Sequence, residues 1–382
     1  MTEAPQARPK GFEVAPWIDR AGGFIERHVD WWIKLGSIET ALLDGTLADV
    51  RIDRPIYVTG LARSGTTILL EALARHPDAV THRYRDFPFL FTPYLWNRWL
   101  DLVPRKPEKP AGRSHNDGIA VTSESPEAFE ESLWMAFFPG QHDPSRSALM
   151  DRSGHHPAFE RFYRDHIRKL LAVRRGCRYV AKGNYNLTRI PYLAKMFPDA
   201  RFVVPVRDPV WHVASLMKQH RLFLAGQRDN PPALRHLRRV GHFEFGEDRR
   251  PVNLGDDAAA ADIAALWRAG EEVRGWARYW SQVHRHILDL HDRAQDQQGA
   301  MRVVRYEDLC AAPRAVLEGV LAHCGLAGDG KLLSSAAERF HPPGYYRPSF
   351  TAAELATIAE ETAAVALRFG YAPAAGRRQS AQ

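Results

Sequence analysis

Cysteine is scarce in this 382-residue chain: Cys177, Cys310 and Cys324 leave an odd number, and no two of them form a Cys-x-x-Cys pair. That disfavours a disulfide framework and makes a reducing, cytoplasmic setting the expectation. Long hydrophobic runs are missing as well. No stretch of about 18 apolar residues, the length needed to cross a bilayer, occurs anywhere. The first ten residues, Met-Thr-Glu-Ala-Pro-Gln-Ala-Arg-Pro-Lys, lack the apolar core of a secretory signal. A soluble chain with no transmembrane segment is expected. The 17 histidines include no His-Glu-x-x-His pattern, so no metal is expected. There is also no zinc-finger spacing, RNP-like aromatic strand or continuous Lys/Arg helix. The excess of 52 Lys+Arg over 45 Asp+Glu, a net charge of +7, therefore suits an anionic nucleotide or an acidic acceptor better than nucleic acid.

Among the features present, residues 55–67, Pro-Ile-Tyr-Val-Thr-Gly-Leu-Ala-Arg-Ser-Gly-Thr-Thr, are the most informative. They read as a buried strand, a glycine-punctuated turn and the start of a helix that runs from about Thr66 to Arg75, with Leu69, Leu70 and Leu73 on one face. Backbone N–H groups at a helix start have no intrahelical partner and lie at the positive end of the dipole, which favours a phosphate ester. The nucleotide triphosphate form of such a loop reads G-x-x-x-x-G-K-[ST]; here Gly60 and Gly65 keep the spacing, but Thr66 stands where the lysine belongs. The cation inside the loop is Arg63.

A cation at that earlier position followed by Ser-Gly-Thr-Thr resembles the phosphosulfate-binding loop of the sulfotransferases that use 3′-phosphoadenosine 5′-phosphosulfate (PAPS). Residues 201–216, Arg-Phe-Val-Val-Pro-Val-Arg-Asp-Pro-Val-Trp-His-Val-Ala-Ser-Leu, resemble the same family's 3′-phosphate motif, with Arg207 ending a strand and Ser215 two helical turns on. A guanidinium fork and a hydroxyl there would tell a 3′-phosphorylated adenosine from ATP. Residues 178–182, Arg-Tyr-Val-Ala-Lys, look like the strand before the family's lysine near the sulfuryl group, and Met301 to Leu309 resemble its late Y-E-D-L strand. The resemblance spans roughly residues 54–325, with all segments in order. It implies that Arg63, Ser64, Gly65, Thr66 and Thr67 bind the 5′-phosphosulfate, that Arg207 and Ser215 bind the 3′-phosphate, and that Tyr306 contacts adenine. Lys182 would stabilise charge on the bridging oxygen, PAP would be the product, and no metal would be required.

One departure concerns the base. Where cytosolic members follow the lysine strand with Thr-His, this chain has Gly183-Asn184. Bacterial, carbohydrate and tyrosyl-protein branches use a carboxylate shortly after the first helix, which makes Asp86 the candidate proton acceptor. His115, with Asp117 or Glu131 to hold or replace it, is the rival. Ser125-Pro126-Glu127 reads as a helix start.

Residues 1–10 are expected to be disordered, 11–50 to be a helical segment packing on the core or on a partner, 51–372 to be the sulfotransferase domain and 373–382 a flexible tail. The aromatic residues from Asp86 to Trp99 suit an acceptor pocket or plain core, and a homodimer is possible. Residues 101–116 and the arginine-rich stretch 226–257 read as loops and as lid or acceptor-recognition candidates, and one long helix is expected from about Ala258 to Asp296. Strands at 55–59, 178–182, 202–206 and 301–305 separated by helices imply an α/β fold, a mostly parallel central sheet flanked by helices. The resemblance makes this a P-loop NTPase-like sulfotransferase fold with helical additions. Pro205 suggests a bulge or a strand end. The expected activity is transfer of a sulfuryl group from PAPS to a hydroxyl, with a glycan or lipid-linked acceptor foremost and a small molecule also open. A P-loop kinase and a non-catalytic nucleotide-binding protein of the same fold are the alternatives.

Overall fold

The computed structural model describes residues 11–104, 108–112, 120–295, 299–328, 330–342, 344 and 346–372. Its centre is a five-stranded sheet built from β1 (Ile56–Val58), β2 (Ala79–Val80), β5 (Arg178–Lys182), β6 (Arg201–Val206) and β7 (Met301–Arg305), in the spatial order β2-β5-β1-β6-β7. All pairings in it are parallel. A separate two-stranded ribbon joins β3 (Ala111–Gly112) to β4 (Ala120–Val121). The chain is thus an α/β protein.

The strands are apolar on both faces because both are covered. Ile56, Val58, Val180 and Val203 pack with Leu69, Leu70 and Leu73 of the helix Thr66–Leu73 and with Leu317 and Leu321 of Pro313–Cys324. The alternate residues, Tyr57, Tyr179, Phe202 and Val204, join Tyr163, Leu193, Val213 and Trp280 from the helices on the other side. This period-2 partition follows from successive side chains pointing to opposite faces of a strand.

Pro205 forms neither a bulge nor an end, since β6 continues to Val206 in register with β7, with Pro205 opposite Val304. Arg201 N donates to Pro55 O on the β1 side, and Phe202 N donates to Ala300 O on the β7 side. Pro205 has the parity of Arg201, so its missing N–H would face β1, which has already stopped at Val58. The imide therefore removes no bond to β7.

Two further expectations change. The long helix is two, Asp257–Arg268 and Glu272–Gln295, broken at Gly270 with φ 82°. Trp267 and Trp276 close the corner with ring centroids 4.6 Å apart, and the Arg249 guanidinium lies 4.3 Å above Trp267. The presumed lid is partly the helix Pro231–Arg239. Its arginines tie down the N-terminal helix Pro16–Arg27: Arg235 and Arg239 each reach Asp19 at 2.6 Å, and Arg239 reaches Glu26 at 2.9 Å. Farther along, Lys169 Nζ meets Glu39 Oε2 at 2.9 Å with both side chains sealed from solvent, fixing Val29–Leu42 to Pro157–Arg174. No described helix is long and apolar enough to cross a membrane.

Candidate active site

The loop between β1 and Thr66–Leu73 owes its shape to residues in the left-handed region: Arg63 at φ 73° and Gly65 at φ 110°. At Gly65 a Cβ would lie 2.8 Å from Tyr306 Cδ2, so only glycine lets the tyrosine ring close over the loop. The loop is buttressed from behind by His212, whose Nε2 bonds Ala62 O at 2.8 Å. Burial holds that imidazole well below its ordinary 6.5, hence neutral and donating.

Arg207, at the end of β6, and Ser215, on the helix Pro209–Asp229, arrive at this loop from the neighbouring strand. Arg63 Nε donates to Ser215 Oγ at 3.4 Å, and Arg207 Nη1 donates to the Arg63 carbonyl at 3.2 Å. The Arg207 guanidinium also sits 4.9 Å from the Tyr306 ring centre and 5.9 Å from that of Tyr346. Asp208 caps the helix instead of closing on Arg207: its Oδ1 accepts Val210 N at 3.0 Å and Trp211 N at 3.3 Å. Buried Ser64 Oγ and Arg207 Nε have no hydrogen-bond partner among the described residues. Orphaned donors beside a helix N-terminus fit an anion. Thr66 is buried, while Thr67 is half-buried.

Lys182 ends β5 opposite Val58 and faces a cavity of about 360 Å³. Asn184 links that cavity to the loop, since Thr66 Oγ1 donates to its Oδ1 at 3.4 Å and its Nδ2 donates to Glu244 Oε1 at 2.8 Å. Glu244 Oε2 lies 2.8 Å from His242 Nδ1. Burial alone would raise the Glu244 carboxyl, but the adjacent His242, the Asn184 amide and the Lys182 charge outweigh it and bring it down to about 2.

Residues 55–242 match the family model described as "Sulfotransferase family". Over that segment the chain belongs to the sulfotransferase family. Among solved structures the protein is similar to sulfotransferase STF1 from Mycobacterium tuberculosis H37Rv, at 18% identity and TM-score 0.44, covering 91% of this chain and 86% of that one. It is also similar to sulfotransferase STF9 from Mycobacterium avium, at 15% identity and TM-score 0.46, covering 84% and 80% of the two chains. A sulfotransferase from Alicyclobacillus acidocaldarius gives 16% identity and TM-score 0.40, covering 86% of this chain and 100% of that one. No curated protein sequence matches.

Within this sulfotransferase, Asp86 is not positioned as a base. It is 1% exposed, and both its oxygens are held by Arg174 Nη2, at 2.6 and 2.7 Å. Oδ2 also meets His82 Nδ1 at 3.2 Å and Arg83 N at 2.9 Å, while Oδ1 accepts from Asn97 at 3.0 Å. Burial would raise its carboxyl, yet the His82 bond and the Arg174 charge hold it well below the ordinary 3.8. A carboxylate so enclosed organises the fold and does not line the cavity. His115 and Asp117 lie outside the described residues. Glu131 does line the cavity, but both its oxygens are hydrogen-bonded, to Arg189 at 2.7 and 2.8 Å and to His142 at 2.7 Å, whereas Glu244 Oε2 accepts no hydrogen bond among the described residues. The helix expected at Ser125 begins at Glu130 instead, because Ser125 Oγ accepts Thr122 N in a turn and Pro126 bridges to Arg83.

Glu244 and His242 were missed by sequence reasoning. The signal available was local alternation: in His242-Phe243-Glu244-Phe245 the two phenylalanines are buried, at 8% and 1% exposure, leaving the polar pair to the other side.

Proposed function

We propose that this sulfotransferase uses PAPS as donor and a hydroxyl as acceptor. The observation that carries the reading is the meeting of Arg63, Arg207 and Ser215, from three separate elements, around a loop with orphaned buried donors. Arg63, Ser64, Thr66 and Thr67 are suited to the 5′-phosphosulfate, Arg207 and Ser215 to the 3′-phosphate, and Tyr306 to the adenine side. When bound, PAPS supplies an activated sulfuryl group.

Lys182 supplies positive charge where the bridging oxygen becomes anionic, and Asn184 keeps Glu244 beside it. Glu244, rather than Asp86, takes the acceptor proton. The acceptor oxygen forms the new S–O bond as the bond from sulfur to the bridging oxygen breaks. The electron pair leaves on that oxygen and the acceptor proton ends on the Glu244 carboxylate. Positioning and charge stabilisation carry the rate, as in phosphoryl transfer.

Calorimetric titration with PAP, and with ATP plus magnesium as the competing ligand, tests the donor. Tight PAP binding without magnesium is expected, together with transfer of ³⁵S from labelled PAPS to an alcohol. Magnesium-dependent ATP binding in place of PAP binding would reject the reading.

A further inference from the structure

The cavity next to Lys182 has two chemically distinct parts. Lys182, Gly183 and Asn184 are consecutive, and Glu244 is bonded to Asn184, so the polar groups gather together. Phe12, Ile18, Phe87, Phe129, Leu237 and Val240 supply the apolar wall. Phe87 packs on Phe129 with ring centres 5.6 Å apart, and its ring meets that of His236 edge-on at 4.9 Å. Burial and the nearby Arg239 charge bring His236 down to about 4, so it is uncharged near neutral pH.

The N-terminal segment closes one side. Phe12 is 3% exposed and packs edge-on against Phe223 at 5.2 Å. It fills the space over Gly226, where a Cβ would fall 2.5 Å from its ring. The Asp19 ion pairs with Arg235 and Arg239 fasten the helix that follows.

Size and chemistry then select the occupant. At about 360 Å³ the cavity is at the small end of ligand sites, which run from about 300 to 1,000 Å³. Sugar hydroxyls pressed on the apolar wall would lose water without finding partners. Glu131 is already engaged by Arg189 and His142, and one Glu127 oxygen by Ala128 N. The Glu127 carboxylate, which accepts a backbone N–H and makes no ion pair among the described residues, disfavours an anionic acceptor. We infer that the cavity takes a small, uncharged alcohol or phenol with an apolar body, its hydroxyl placed between Lys182 and Glu244. This rests on the sulfuryl-transfer reading for its chemistry, while the binding itself can be measured separately.

The test titrates the full chain with 2-naphthol and 1-octanol, with and without PAP, beside N-acetylglucosamine and a tyrosyl peptide. Labelled PAPS is then supplied with the same four compounds. Binding and labelling of naphthol or octanol are expected. Ala233→Phe, which fills the apolar part from a position 3% exposed, should weaken naphthol binding at least tenfold with PAP affinity within twofold of wild type. Val240→Phe serves the same purpose should the first variant not fold. Binding and label confined to N-acetylglucosamine or the peptide, with naphthol and octanol ignored, would overturn the inference and leave the donor reading standing. Failure of PAP to bind would overturn the donor reading, while the naphthol titration without PAP would still judge the cavity.

Discussion

Asn184 Nδ2 donates to Glu244 Oε1 at 2.8 Å, joining the second residue after the β5 lysine strand to a carboxylate sixty positions later. The bond places Glu244 at the polar end of the cavity and couples it, through Thr66, to the anion loop. Glu244→Gln keeps the shape and removes the proton acceptor. Sulfuryl transfer should fall by about 10²-fold or more, with PAP affinity unchanged, as read by ³⁵S turnover beside calorimetry. Wild-type turnover by this variant would return the base to another group.

The same carboxylate sets a pH profile. Glu244 is lowered to about 2, so it stays ionised and able to accept a proton throughout the range above about pH 4. Rates under kcat conditions should show no acid limb near pH 6.5, the limb a histidine base would produce. A limb there would point to an imidazole base in place of Glu244.

Arg207 combines a bond to the Arg63 carbonyl with stacking on Tyr306, which a lysine cannot reproduce. Both Arg207→Ala and Arg207→Lys should weaken PAP by roughly tenfold to a hundredfold, corresponding to about 1.5–3 kcal/mol for a hydrogen bond to a charged group. Comparing PAP with adenosine 5′-phosphosulfate localises the loss: if both weaken equally, Arg207 does not serve the 3′-phosphate.

Gly65→Ala brings a Cβ to 2.8 Å from Tyr306 Cδ2 at φ 110°. The loop must move or the ring must swing away, and either distorts the anion site. Loss of PAP binding is expected with a stability cost of about 1 kcal/mol or more, measured by denaturant unfolding. Tyr306→Ala in the same background should recover part of that stability, because the clash partner is gone.

Asp86→Asn breaks the buried pair with Arg174 and should cost about 3–5 kcal/mol of stability. Turnover per folded molecule should stay near wild type. Because the folded-state carboxyl is depressed below 3.8, its stabilisation is complete above that pH and disappears as pH falls through the folded value. The wild type should therefore lose this contribution below about pH 4, while the variant shows a flatter acid limb in thermal unfolding.

The anion loop, the lysine strand and the Arg207–Ser215 segment were legible in the sequence because each is a local strand-turn-helix pattern. Gly60, Arg63 and Gly65 have meaning within six residues of chain, and the apolar strands announce a sheet covered on both sides. The proposed base was not legible in this way. Asp86 looked available from its neighbours, but its partner Arg174 lies 88 residues away, and Glu244 gained its place only through Asn184, 60 residues earlier.

What the sequence determined alone, then, was the kind of fold and the strand-turn-helix edge that forms the candidate anion loop, since short-range geometry and hydrophobic periodicity dictate both. Tertiary structure decided which carboxylate is sealed into an ion pair and which borders a cavity. It also decided that the N-terminal segment, held by Phe12 and Asp19, closes that cavity. Burial and charge pairing depend on residues brought together from distant parts of the chain, and no local pattern encodes them.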